Sequence, residues 1–135
     1  MTSPGQKTIK SHKDLDVWQK AMAFVVNIYQ LTSEFPQAEK YGLASQIQRA
    51  AVSVPSNIAE GAARKGSKEF VQFLYVALGS LAEVETQVEI AHKLGYAKNI
   101  DDLDNDLTNI RRMLLGLINY LKNRDDGVVT RTVYS

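Results

Sequence analysis

Cysteine is absent from the 135 residues, which removes disulfides, thiolate metal ligands and cysteine nucleophiles together and suits a reducing interior. Only two histidines are present, His12 and His92, so there is little for acid–base or metal chemistry to use. With only three prolines (Pro4, Pro36 and Pro55), long helices can run uninterrupted. No apolar run approaches the length of a bilayer span, and no apolar stretch follows the Met1–Lys7 segment to serve as a signal peptide. A soluble, cytoplasmic chain with no membrane partner is therefore expected. No convincing strand is present, and no glycine-rich loop follows one, which excludes the common nucleotide cradles. Charge of one sign is also lacking: 16 basic against 15 acidic residues leave a net charge of +1, so the chain as a whole does not announce a polyanion partner. Any such reading must rest on local clusters.

What is present is helical periodicity, in a chain of single-domain length. Residues 1 to 13 carry Lys7, Lys10 and Lys13 with little apolar content and read as a basic flexible arm. A first helix is expected from an Asp14 cap to about Thr32, with a seam of Val17, Ala21, Phe24, Ile28 and Leu31. A second carries Leu43, Ile47, Ala50 and Val54 and meets Pro55, where either a kink or a break with restart is expected. A third should start at a Ser67 cap, keep Phe70, Leu74, Ala77, Leu81, Val84, Val88 and Ala91 on one seam, and stop at Gly95. A fourth should open at an Asn99 cap, with Asp101, Asp102 and Asp104 near its positive dipole end, and repeat Leu103, Leu107, Ile110, Leu114, Leu117 and Leu121. Residues 124 to 135 read as a tail. Short connections between such helices predict an all-α, antiparallel up-and-down four-helix bundle over residues 14 to 123.

The seams leave apolar surface over. Trp18, Met22, Val25 and Tyr29 form a stripe beside the first seam, and Val71, Phe73, Tyr75, Val76 and Leu78 make the start of the third helix apolar nearly all round. These second faces predict self-association, with Trp18, Met22, Tyr29, Phe73 and Val76 as the candidate interface.

Candidate chemistry is thin. Glu89-x-x-His92 has the spacing of a carboxylate-bridged di-iron helix, but the second such motif and the glutamates that site needs inside two further helices are missing, so no metal or other cofactor is expected. No nucleophile–base constellation is present, so no enzyme is expected. A polar stripe of Gln46, Arg49, Ser53, Asn57 and Glu60 on the second helix reads as a register-fixing network, with Arg49 pairing Glu83 of the neighbouring helix or Glu60 of another subunit; a lined pore or ligand site is the alternative. Basic residues gather in the arm, at Arg64, Lys65 and Lys68, and at Arg111 and Arg112 with Lys122 and Arg124. In an oligomer, symmetry would repeat such clusters into a surface that attracts phosphate backbones by charge and shape.

The run Phe35-Pro36-Gln37-Ala38-Glu39-Lys40-Tyr41-Gly42-Leu43, followed by Gln46-Ile47-Gln48-Arg49-Ala50-Ala51-Val52-Ser53-Val54-Pro55-Ser56-Asn57-Ile58-Ala59-Glu60-Gly61, is long and specific. With Leu15-Asp16-Val17-Trp18, Gly79-Ser80-Leu81-Ala82-Glu83-Val84-Glu85 and Leu94-Gly95-Tyr96, it closely resembles the bacterial four-helix bundle proteins encoded in intervening sequences of large-subunit ribosomal RNA genes. The resemblance implies an up-and-down bundle assembled as a ring-like homopentamer with no established enzymatic role. That family is similar in turn to the accessory variability protein of diversity-generating retroelements, a basic pentameric barrel that engages a reverse transcriptase and nucleic acid. The expectation from residues and resemblance together is a non-enzymatic oligomeric scaffold contacting RNA or DNA, linked to ribosomal RNA or reverse transcription. A protein-only interaction module is the alternative.

Overall fold

The computed structural model describes residues 6–8, 11–124 and 132–134. Four helices carry the fold: α1 (Asp16–Thr32), α2 (Leu43–Ala62), α3 (Ser67–Lys93) and α4 (Asp101–Lys122). The main contacts run α1 to α2, α2 to α3, α3 to α4 and α4 back to α1, so the helices enclose one core as a helical bundle. Two three-residue strands, β1 (Gln6–Thr8) and β2 (Thr132–Tyr134), pair antiparallel with Lys7 opposite Val133. Periodicity did not signal this pair, because three residues are too few to show alternation. The remainder of the expected arm and tail, apart from the segments 11–13 and Arg124, lies outside the described residues.

Burial follows the seams closely. All seven seam positions of α3 and all six of α4 are buried. On α1, Val17, Ala21, Phe24 and Ile28 are buried, but the fifth buried residue is Thr32, and Leu31 is only half-buried. A threonine can occupy that place because its hydroxyl is satisfied: Thr32 Oγ1 accepts from Gln48 Nε2 at 2.9 Å and donates to the Tyr29 carbonyl at 3.3 Å. On α2, Leu43 yields to Ala44, and the helix runs unbroken through Pro55, which is itself buried. The break-and-restart expectation is thereby corrected. Ile58 is fully buried and Asn57 half-buried, so the seam moves by one position beyond the proline.

Three caps differ from expectation. Asp14 does not cap α1; it closes a 3-10 turn (His12–Asp14) in which its Oδ2 accepts from the Ser11 amide, while Ser11 Oγ accepts from the Lys13 amide. Ser67 is already helical, and Gly66 in extended conformation takes the cap place without a side-chain bond. Ile100 stands at the cap of α4, although Asn99 Oδ1 still accepts from the Asp101 amide at 3.1 Å.

α3 ends in a two-bond Schellman turn, with the Tyr96 amide donating to the Ala91 carbonyl and the Gly95 amide to the His92 carbonyl. Gly95 has φ +82°, a left-handed geometry that suits glycine. His92 Nδ1 donates to the Ala97 carbonyl at 2.7 Å and pins the connection to α4.

The same end of the bundle is latched by Glu39. Its Oε1 accepts from the Leu43 amide at the start of α2, and its Oε2 accepts from the Tyr96 hydroxyl, whose ring packs on Phe35. Burial first, and then the adjacent Glu39 carboxylate, push the Tyr96 phenol above its ordinary pKa. The neutral phenol is thus favoured by folding: its contribution is complete below the unfolded value of about 10 and is lost as pH rises through the folded value. Tyr96→Phe is expected to be less stable at neutral pH and to lose part of the alkaline decline. Denaturant midpoints from neutral to strongly alkaline pH check this, and identical pH slopes for both proteins would refute it.

Candidate nucleic-acid interface

The turn between α2 and α3 is shaped by Gly61. A Cβ at that position would lie 2.8 Å from Phe70 Cδ1 and from Phe73 Cβ, closer than packed carbons approach, so only glycine lets α2 end against α3 here. Arg64 follows directly, with its guanidinium 4.8 Å from the Phe73 ring centroid and 3.5 Å from Glu60 Oε2. Lys65 and Lys68 are exposed beside it. The end of α4 reaches the same place: Lys122 Nζ donates to the Tyr75 hydroxyl at 3.0 Å, and Arg124 stacks over Tyr120 and bonds its hydroxyl. Arg64, Lys65, Lys68, Lys122 and Arg124 therefore share one end of the bundle. Asp101, Asp102 and Asp104 begin α4 at its other end, roughly 30 Å away at about 1.5 Å per residue. The acidic first turn of α4 is thus kept apart from these cations.

Arg111 and Arg112 are not part of this end. They lie about 15 Å back along α4 from Lys122 at ~1.5 Å per residue, and Arg111 is held by Glu85 of α3 at 2.7 Å. Arg112 is exposed.

The polar stripe of α2 is divided. Ser53 Oγ and Ser80 Oγ are 2.7 Å apart, and Asn57 Nδ2 donates both to Ser53 Oγ and to the Ser53 carbonyl. Glu60 pairs with Arg64 of its own chain. The expected Arg49–Glu83 pair does not form: both side chains are exposed, and Gln46 is exposed with them. They sit on the outer margin of the α2/α3 contact, where water solvates them better than a held ion pair would. Ser80 was missed because a small polar residue beside Leu81 carries no signal of what faces it.

Of the expected interface, Met22, Tyr29 and Val76 are exposed at 42%, 47% and 52%, and Val26 at 56% joins the α1 stripe. Trp18 and Phe73 are half-buried by the chain itself: the His12 ring meets Trp18 edge-on at 5.1 Å, and Arg64 covers Phe73. Glu89 pairs with Lys93 at 3.8 Å, so the Glu89-x-x-His92 side chains are engaged with residues of their own helix end. Among the described residues no helix is long and apolar enough to cross a membrane.

Among curated proteins none matches the chain. Among solved structures, one that matches is a crystal structure of a protein of unknown function from the S23 ribosomal protein family of Bacteroides thetaiotaomicron. It is 25% identical, superposes with a TM-score of 0.68, and the match covers 76% of this chain and 97% of that one. The family model for the 23S rRNA-intervening sequence protein matches residues 13–116, which is most of the chain. The protein belongs to the 23S rRNA-intervening sequence protein family.

Proposed function

We propose that the protein is a non-enzymatic, cytoplasmic scaffold whose basic end binds RNA or DNA through phosphates without reading base sequence. The gathering of Arg64, Lys65, Lys68, Lys122 and Arg124 at one end, from segments far apart in the chain, carries this reading. Phosphate contacts position a polyanion, whereas sequence is read in the grooves by base contacts. The helices are taken to run antiparallel, up and down: Ser53 meets Ser80, and Arg111 meets Glu85, each pair lying roughly equidistant from the turn that joins its helices. The exposed residues Met22, Val26, Tyr29 and Val76 support self-association into a ring-like homopentamer, which would repeat the basic end around one axis. A reverse transcriptase is a candidate protein partner of such a ring.

An electrophoretic shift with structured RNA and duplex DNA across a salt series tests the binding. For about four phosphate contacts, affinity should fall by roughly two orders of magnitude between about 50 and 200 mM salt, because each contact releases a counterion. Arg64→Glu with Lys65→Glu should abolish the shift with the helical content unchanged, and Arg112→Glu should weaken it less. Binding untouched by the double reversal would overturn the assignment. Protein-only docking, the reading favoured by the same exposed apolar residues, would instead leave no salt-sensitive shift at all.

A further inference from the structure

A cleft of about 280 Å³ opens between the first turns of α3 and the end of α4, lined by Ser67, Lys68, Val71, Gln72, Tyr75, Leu121 and Lys122. Two cations stand at it and no acidic side chain lines it. Neither Lys68 nor Lys122 has a carboxylate partner among the described residues; Lys122 is held instead by the Tyr75 hydroxyl at 3.0 Å, with its ammonium 5.3 Å from the Tyr75 ring centroid. Tyr75 is thus a positioning residue that keeps Lys122 at the mouth.

Ser67 is the second, independent observation. It is 9% exposed, it lines the cleft, and its hydroxyl has no hydrogen-bond partner among the described residues. That hydroxyl is not sealed from solvent; it opens on the cleft, where it can donate to an acceptor. No side chain caps the first turn of α3, which holds Glu69 as its acidic residue. Opposite the polar wall, Val71 and Leu121 are buried and form an apolar floor, and Gln72 is exposed beside them with an amide that can both donate and accept.

We infer that this cleft binds one terminal nucleotide bearing a phosphate monoester. Lys68, Lys122 and Ser67 Oγ take the phosphate, the base lies on the Val71 and Leu121 floor, and Gln72 meets its polar edge. A terminal monoester carries more charge than an internal diester, which suits two unpaired cations at a helix start. The inference deepens the nucleic-acid reading by giving the basic end a strand-end site, and it rests on that reading for its biological ligand.

Calorimetric titration of the full chain with adenosine 5′-monophosphate, adenosine, inorganic phosphate and a 5′-phosphorylated RNA dinucleotide is the test. Saturable binding of the two phosphorylated nucleotides, at least about tenfold tighter than adenosine, is expected from a charge-assisted contact. Lys122→Met and Lys68→Met should each weaken it by about tenfold or more, Ser67→Ala by less, and Tyr75→Phe should weaken it through Lys122 alone, so that Tyr75→Phe adds nothing in a Lys122→Met background. Circular dichroism confirms that these exposed lysine variants keep their helices. Equal binding of adenosine would overturn the phosphate contact, and equal binding of inorganic phosphate would overturn the nucleoside part. Failure of nucleotides to bind, with the duplex shift and its Arg64/Lys65 dependence intact, would overturn the cleft and leave the proposed function standing. Nucleotide binding without any duplex or structured-RNA shift would do the reverse.

Discussion

Phe24→Ala should lower the free energy of unfolding by about 3–5 kcal/mol, the range for truncating a fully buried phenylalanine. Phe24 is 1% exposed at the middle of α1 and faces the common core. The loss combines the transfer energy of the removed ring with the cavity left behind, which α1 cannot close by moving because Val17, Ala21 and Ile28 hold the same face down. A domain of ordinary stability, about 5–15 kcal/mol, would be left marginal. Asn27 lies three positions on and is exposed, so Asn27→Ala should change stability by no more than about 0.5 kcal/mol. Urea unfolding of both variants gives the comparison, and similar midpoints would contradict the assigned core face of α1.

Val76→Asp should reduce the solution mass to that of a single subunit, provided the exposed apolar residues of α3 are the contact between copies. Val76 is 52% exposed, one turn before Ser80 on α3, and a carboxylate buried there against a second copy would stand unpaired. The cost of such a charge, about 3–5 kcal/mol at each contact by analogy with a broken buried pair, weakens association by roughly two to four orders of magnitude, enough to separate at micromolar concentration copies held with submicromolar affinity. Met22→Asp tests the α1 stripe in the same way. Light scattering on wild type and both variants decides which stripe matters. Unchanged mass in Val76→Asp would remove α3 from the interface, and a wild-type monomer would remove the second-face argument altogether.

Much of the fold was legible because helical burial is a local, angular property. The α3 and α4 seams continue for several turns, and each position was readable from the spacing of its neighbours alone. The failures fall where a residue's surroundings come from another segment. Leu31 looked like the next seam residue, but Gln48 from α2 satisfies Thr32 and lets it take the buried place. Ser67 has the chemistry of a cap, but the helix begins one residue earlier with Gly66 in the cap place, which leaves the serine side chain facing the cleft. Arg49 and Glu83 have the chemistry of a pair, and the packing of α2 on α3 leaves both in water.

Four helices, the seams of α3 and α4, the glycine stop at Gly95 and the family to which the chain belongs are all readable from the chain alone. All of these depend on spacing, composition or motif within one stretch of chain. The packed fold alone brings Ser53 to Ser80, joins Leu43 to Tyr96 through Glu39, and sets Lys68 and Lys122 at one cleft while Arg111 is drawn off to Glu85. The physical reason is that which faces of two helices meet, and at what height, is set by the close packing of the whole core, a condition that no single segment carries.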